Sequence, residues 1–132
     1  MDNARILVVD DDEDSRILVE RVLKRNHFLV ETAANGKEAL EIVNTLLVDL
    51  IVLDVMMPGM DGYQVYNTLK ESDATRNIPV IMLTALNKAD HIERALHIAP
   101  DWYITKPFDP KYLLKRIRQV LFKAGYSRSL TQ

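Results

Sequence analysis

Cysteine is absent from the 132 residues, which excludes disulfides and thiolate metal sites. Glycine is scarce at four residues, and neither a phosphate-loop nor a dinucleotide fingerprint occurs, so nucleotide and flavin binding are disfavoured. No apolar run approaches the roughly 20 residues of a membrane span, and the flanks of a signal peptide are missing. Charge is nearly balanced: a formal net charge of -2 gives no bulk attraction to nucleic acid or to an anionic membrane, and no local basic patch is conspicuous. His27, His91 and His97 form no recognisable ligand cluster and read as surface or boundary residues. What remains is the expectation of a cytoplasmic protein of one domain, with a hydrophobic content of 48% that suits an ordinary soluble core.

What is present is an alternation. Short β-branched runs, RILVVD (5–10), FLVETA (28–33), LIVLD (50–54), PVIMLTA (79–85) and DWYIT (101–105), predict strands. Apolar residues at helical spacing follow each of them: Leu18, Val19, Val22, Leu23; Ala39, Leu40, Val43, Leu47; Val65, Tyr66, Leu69; Ile92, Ala95, Leu96, Ala99; and Leu113, Leu114, Ile117, Val120, Leu121. Asn35 with Glu38, Asp61, Asn87 and Asp109-Pro110 mark helix starts. Strands alternating with helices predict a doubly wound α/β fold: a five-stranded parallel sheet with five helices covering both faces. Residues 1–124 read as the domain and 125–132 as a polar tail or linker stub.

In such sheets ligands bind beyond the carboxyl ends of the strands. There the sequence puts Asp10 and Asp11, Asp54, Thr84 and Lys106. Carboxylates held close repel one another, and they either protonate or bind a cation. An all-oxygen donor set favours Mg²⁺ or Mn²⁺ over zinc. An EF-hand does not fit, since counting from Asp10 puts Ser15 where glycine is required and Arg21 where the bidentate glutamate belongs. A divalent ion with vacant positions, Lys106 and the Thr84 hydroxyl together suit the oxygens of a phosphoryl group. Asp54, alone at the end of a central strand, is then the candidate nucleophile.

These motifs, ILVVDDD, LIVLDVMMPGMDG, PVIMLTA and YITKPF in that order, resemble the receiver domain of two-component response regulators over residues 4 to about 124. The resemblance implies a flavodoxin-like sheet of order 2-1-3-4-5. It implies that Asp10, Asp11 and Asp54 bind Mg²⁺ with the backbone carbonyl of Met56, and that Asp54 accepts a phosphoryl group from a sensor histidine kinase or a histidine phosphotransfer protein. It makes Thr84 and Lys106 contacts of the phosphoryl oxygens and Tyr103 the switch aromatic. The surface of the fourth helix, fifth strand and fifth helix would then change to control an output. The domain itself would bind neither membrane nor nucleic acid, and its only catalysis would be its own phosphorylation and dephosphorylation.

The sequence departs from the family pattern at several places. Ala99-Pro100 stands where a Gly-Ala pair is common, Trp102 where aspartate is frequent, and Tyr112 where glutamate is frequent. An ion-pair dimer like that of winged-helix members is therefore in doubt, and Trp102 and Tyr112 could instead form an aromatic contact patch, or simply cover the sheet edge. Met56 and Leu86, two residues beyond Asp54 and Thr84, cannot orient an attacking water, which predicts slow autodephosphorylation. Two alternatives to a receiver that works alone stand beside it: a receiver cut from a larger transcription factor or hybrid kinase, and a metal-dependent phosphohydrolase. The second is weakened by Met56, which occupies the place of the second acid that such phosphatases need.

Overall fold

The computed structural model describes residues 4–57, 59, 61–84 and 102–125, with Trp102 described by its backbone. Its elements are β1 (Arg5–Val9), α1 (Glu13–Arg25), β2 (Leu29–Ala33), α2 (Gly36–Thr45), β3 (Leu50–Asp54), α3 (Gly62–Glu71), β4 (Val80–Thr84), β5 (Trp102–Thr105) and α4 (Pro110–Lys123). The strands form one parallel sheet of order β2-β1-β3-β4-β5. The fold is the doubly wound α/β sheet that the alternation implies, in the flavodoxin-like strand order that the resemblance implies. Of the five predicted helices, four lie among the described residues. The fourth helical segment, with its Asn87 start, Leu86 and the Ala99-Pro100 exit, lies outside them, as do residues 126–132.

The aliphatic runs have a direct structural reason. Successive side chains of a strand point to opposite faces, and here both faces are covered. Ile6 and Val8, Leu50 and Val52, Ile81 and Leu83, and Ile104 pack beneath α1 and α4, against Val19, Leu23, Leu113 and Ile117. Leu7 and Val9, Ile51 and Leu53, and Val80 and Met82 face the other side, against Ala39 of α2 and Tyr63, Val65 and Leu69 of α3. All five residues of β3 and of β4 are buried. Burying one such side chain stabilises the fold by roughly 1.5–3 kcal/mol, so the sheet centre is the most heavily constrained part of the chain.

Local signals end the elements. Asp61 and Gln64 form a reciprocal capping box at the start of α3. Asn35 accepts from the Glu38 N–H at 2.9 Å, but Glu38 reaches the Ala34 N–H rather than completing the box on Asn35. Asp109 caps α4 ahead of Pro110 at its first turn. Helix α1 ends in a Schellman arrangement, with the Phe28 N–H on the Leu23 carbonyl and the His27 N–H on that of Lys24. His27 takes the left-handed position, φ 72°, that usually belongs to glycine, so this surface histidine terminates a helix. Leu47 departs from its expected place: α2 stops at Thr45, and Leu47 is 87% exposed rather than packed with the helix.

One contact ties α3 to the end of β3. A Cβ built on Gly62 would lie 2.5 Å from the Asp54 carbonyl oxygen and 2.8 Å from the Val55 Cα, while the Gly62 N–H donates to the Val55 carbonyl at 3.0 Å. Both obstacles are backbone, so neither can rotate away. Gly62→Ala should therefore lower stability by about 2 kcal/mol despite the better helix propensity of alanine. An unchanged urea midpoint would contradict this close-packing account.

Candidate functional site

The site lies at the carboxyl edge of the central strands. Asp10 follows β1 and keeps its backbone N–H on the Ala33 carbonyl at 3.1 Å. Asp54 is the last residue of β3, and Lys106 follows β5 with its N–H on the Thr84 carbonyl at 2.8 Å. By the alternation of the strands, Asp10, Asp54 and Lys106 continue the rows of Val8, Val52 and Ile104, on the face of α1 and α4. Thr84 and Tyr103 continue the opposite row, with Met82. The Lys106–Pro107 peptide is cis.

Lys106 Nζ bridges the two buried acids, at 3.1 Å from Asp10 Oδ2 and 3.2 Å from Asp54 Oδ2. Each carboxylate has its other oxygen on a backbone donor: Asp10 Oδ1 accepts from the Asp12 N–H and Asp54 Oδ1 from the Met56 N–H, both at 3.0 Å. Oxygens of Asp10, Asp11 and Asp54 lie within 4.8 Å of one another, with Asp10 and Asp54 buried and Asp11 exposed. Three carboxylates against one ammonium leave two negative charges when all are ionised, and the donors are hard oxygens. That set fits a divalent cation of the Mg²⁺ type.

The two buried acids are pushed in opposite directions. For Asp54, burial is the largest influence and raises the carboxyl to about 6; Lys106 pulls it down, and the neighbouring Asp10 pushes it up. Burial also acts to raise Asp10, but hydrogen bonds from the Asp12 N–H and Ser15 and the Lys106 charge outweigh it and leave Asp10 below its ordinary value. Lys106 is disfavoured as a cation by burial, yet its two carboxylate partners hold it above its usual value.

Of the residues expected at this site, Asp10, Asp11, Asp54 and Lys106 come together. Met56 contributes its N–H to Asp54, and its side chain is 47% exposed. The Thr84 hydroxyl is buried and has no hydrogen-bond partner among the described residues. Tyr103 is half-buried against the Tyr63 and Tyr66 side of the core, its hydroxyl likewise unpartnered among those residues, and burial with the two tyrosines raises its phenol. Tyr112 lies 41% exposed at the first turn of α4, with the Arg116 guanidinium 4.8 Å from its ring centre. A groove of about 560 Å³ runs past Tyr103, Pro107, Phe108, Asp109 and Tyr112. Sequence reading missed Gly62 and Arg16, whose guanidinium donates to the Asp10 carbonyl at 2.8 Å. The glycine that opens a helix directly after Asp61 was a usable signal for the first; nothing marked the second.

A parallel sheet whose edge gathers three acids and a lysine, with a buried threonine hydroxyl ending the strand next to Asp54, suits a phosphoryl-binding domain, and comparison with known proteins gives its class. The sequence profile of the response regulator receiver domain matches residues 6–118, and the chain belongs to that family. It is 44% identical over 119 residues to the response regulator PleD of Caulobacter vibrioides, covering 89% of this chain and 26% of PleD. It is 48% identical over 121 residues to the probable transcriptional regulator ycf27 of Porphyra purpurea, covering 91% of this chain and 48% of that protein. Among solved structures, the receiver domain of a signal transduction histidine kinase from Syntrophus aciditrophicus superposes with a TM-score of 0.88 at 32% identity, over 93% of each chain. The chain thus spans about a quarter to a half of these curated relatives. No described helix is long and apolar enough to cross a membrane.

The raised Asp54 has a consequence for stability. Its contribution is full below the unfolded carboxyl value near 3.8 and is lost as pH rises through about 6, where the folded state must hold the buried charge. Asp10 acts oppositely, stabilising above its unfolded value. Without divalent cation, Asp54→Asn should be more stable than wild type at pH 7.5, by on the order of 2 kcal/mol, with the gap closing below pH ~5. Urea denaturation in chelator across this range checks it; a mutant less stable at pH 7.5 would reverse the assignment.

Proposed function

We propose that this receiver domain is a phosphorylation-controlled switch in the cytoplasm in which Asp54 is the phosphoacceptor. The observation that carries the reading is Lys106 bridging buried Asp10 and Asp54 beside Asp11. Asp10, Asp11, Asp54 and the Met56 backbone carbonyl would hold Mg²⁺, or Mn²⁺. When bound, the ion neutralises charge that develops on the transferring phosphoryl oxygens. The chain's own residues do the rest. Above pH ~6 Asp54 is ionised and able to attack. Its carboxylate forms a bond to phosphorus as the bond to a histidine nitrogen of the donor breaks, the donor being a sensor histidine kinase or a histidine phosphotransfer protein. Lys106 is placed to take up the new negative charge. The Thr84 hydroxyl, without a partner among the described residues, would donate to a phosphoryl oxygen, and its movement would leave room for Tyr103 to follow.

Incubation with acetyl phosphate and Mg²⁺ should add one phosphate-sized increment to the intact mass of the wild type. No increment should form without metal or in Asp54→Asn. An adduct on Asp54→Asn would move the acceptor elsewhere.

The output follows from what the domain is joined to. The solved structure above comes from a histidine kinase, and the ycf27 relative is named a transcriptional regulator, so a receiver carried by a longer protein is the second reading. Residues 1–124 would then be the folded unit, in keeping with the profile match over 6–118, and 125–132 its polar tail. The exposed Tyr112 at the groove supports an aromatic contact surface there, in place of an ion-pair dimer. With Met56 and Leu86 two residues beyond Asp54 and Thr84 in the sequence, the phosphorylated form should be long-lived. A decay of phospho-Asp54 within seconds in Mg²⁺, followed by mass or radiolabel, would contradict this.

A further inference from the structure

Arg16 lies in the first turns of α1 in the run Asp10-Asp11-Asp12-Glu13-Asp14-Ser15-Arg16, surrounded in sequence by acids. Its described side-chain hydrogen bond nevertheless goes to a neutral acceptor, the backbone carbonyl of Asp10, at 2.8 Å from Nη1. The main chain closes the same loop from the other side: the Arg16 N–H donates to the Asp12 carbonyl at 3.0 Å, and the Asp12 N–H to Asp10 Oδ1 at 3.0 Å.

The location of that carbonyl matters. It belongs to the peptide unit joining Asp10 to Asp11, so rotating this plane changes ψ of Asp10 and φ of Asp11 together. One of these residues is buried and held by Lys106, whereas the other is exposed. The orientation of the Asp11 carboxylate relative to Asp10 and Asp54 therefore depends on how firmly the plane is held. A guanidinium on a carbonyl is a charge-assisted hydrogen bond, among the stronger ways of holding it.

We infer that Arg16 is a positioning residue for the cation site: its guanidinium locks the Asp10–Asp11 peptide plane so that both acids face Asp54. This rests on the cation-binding reading above. It also makes a prediction whose sign is unusual. On charge alone, removing a cationic side chain beside a Mg²⁺ site should tighten binding. If Arg16 positions the ligands, its removal should weaken binding, by roughly tenfold, as loss of groups that orient metal ligands commonly does.

The test is calorimetric titration with MgCl₂ of wild type, Arg16→Ala, Arg16→Lys and, as a control for lost charge on an exposed part of the same helix, Arg21→Ala. The expected result is a dissociation constant about tenfold higher for Arg16→Ala, partly restored in Arg16→Lys and not raised in Arg21→Ala. Should Arg16→Ala fail to fold by circular dichroism, Arg16→Met keeps the apolar stem and serves the same comparison. Unchanged or tighter binding without the guanidinium overturns the inference while leaving the cation reading intact. Absence of Mg²⁺ binding by the wild type overturns both.

Discussion

The arrangement of the acids depends on one ammonium. Asp10 and Asp54 end neighbouring strands, both are buried, and their carboxylates share a corner with Asp11. Like charges so confined would push one another toward protonation or apart. Lys106 opposes this by placing Nζ between them, reaching from β5 across the end of β4 to do so. A buried ion pair of this kind adds little net stability by comparison with an apolar core, but removing one partner leaves an uncompensated charge. Here it keeps two acids close and, with Asp11 beside them, leaves a net negative charge at the sheet edge.

The backbone around the acids is as constrained as the acids themselves. Behind Asp54, Gly62 allows α3 to start in contact with the Asp54 and Val55 main chain, and the Asp61–Gln64 box fixes where that helix begins. Beside Asp10, Arg16 and the Asp12 N–H hold the turn into α1. The acids thus sit on the rigid ends of strands, while the groups that would respond to phosphorylation, Thr84 and Tyr103, point to the other face with hydroxyls unpartnered among the described residues.

Much of this was legible in the residues. The runs at 6–9 and 50–53 indicated strands buried on both faces because no polar alternation interrupts them, and β1 and β3 are central. The caps at Asp61 and Asp109 were readable because capping chemistry is local. Leu47 misled for the complementary reason: its spacing suited α2, but no tertiary contact extends the helix to reach it, and it remains in water. The left-handed His27 was opaque, since glycine is the residue that marks such a position.

By itself the sequence determined the order of strands and helices, both apolar faces and which carboxylates, hydroxyl and ammonium stand at strand ends, because periodicity and capping act over a few residues. Tertiary structure alone decided that Lys106 bridges Asp10 and Asp54, that the Thr84 hydroxyl is buried without a partner among the described residues, that Gly62 admits a helix against the Asp54 backbone, and that Arg16 chooses a carbonyl over its acidic neighbours. Those outcomes depend on distances between strands far apart in the chain and on how burial weighs charge against hydrogen bonding, quantities that no local pattern encodes.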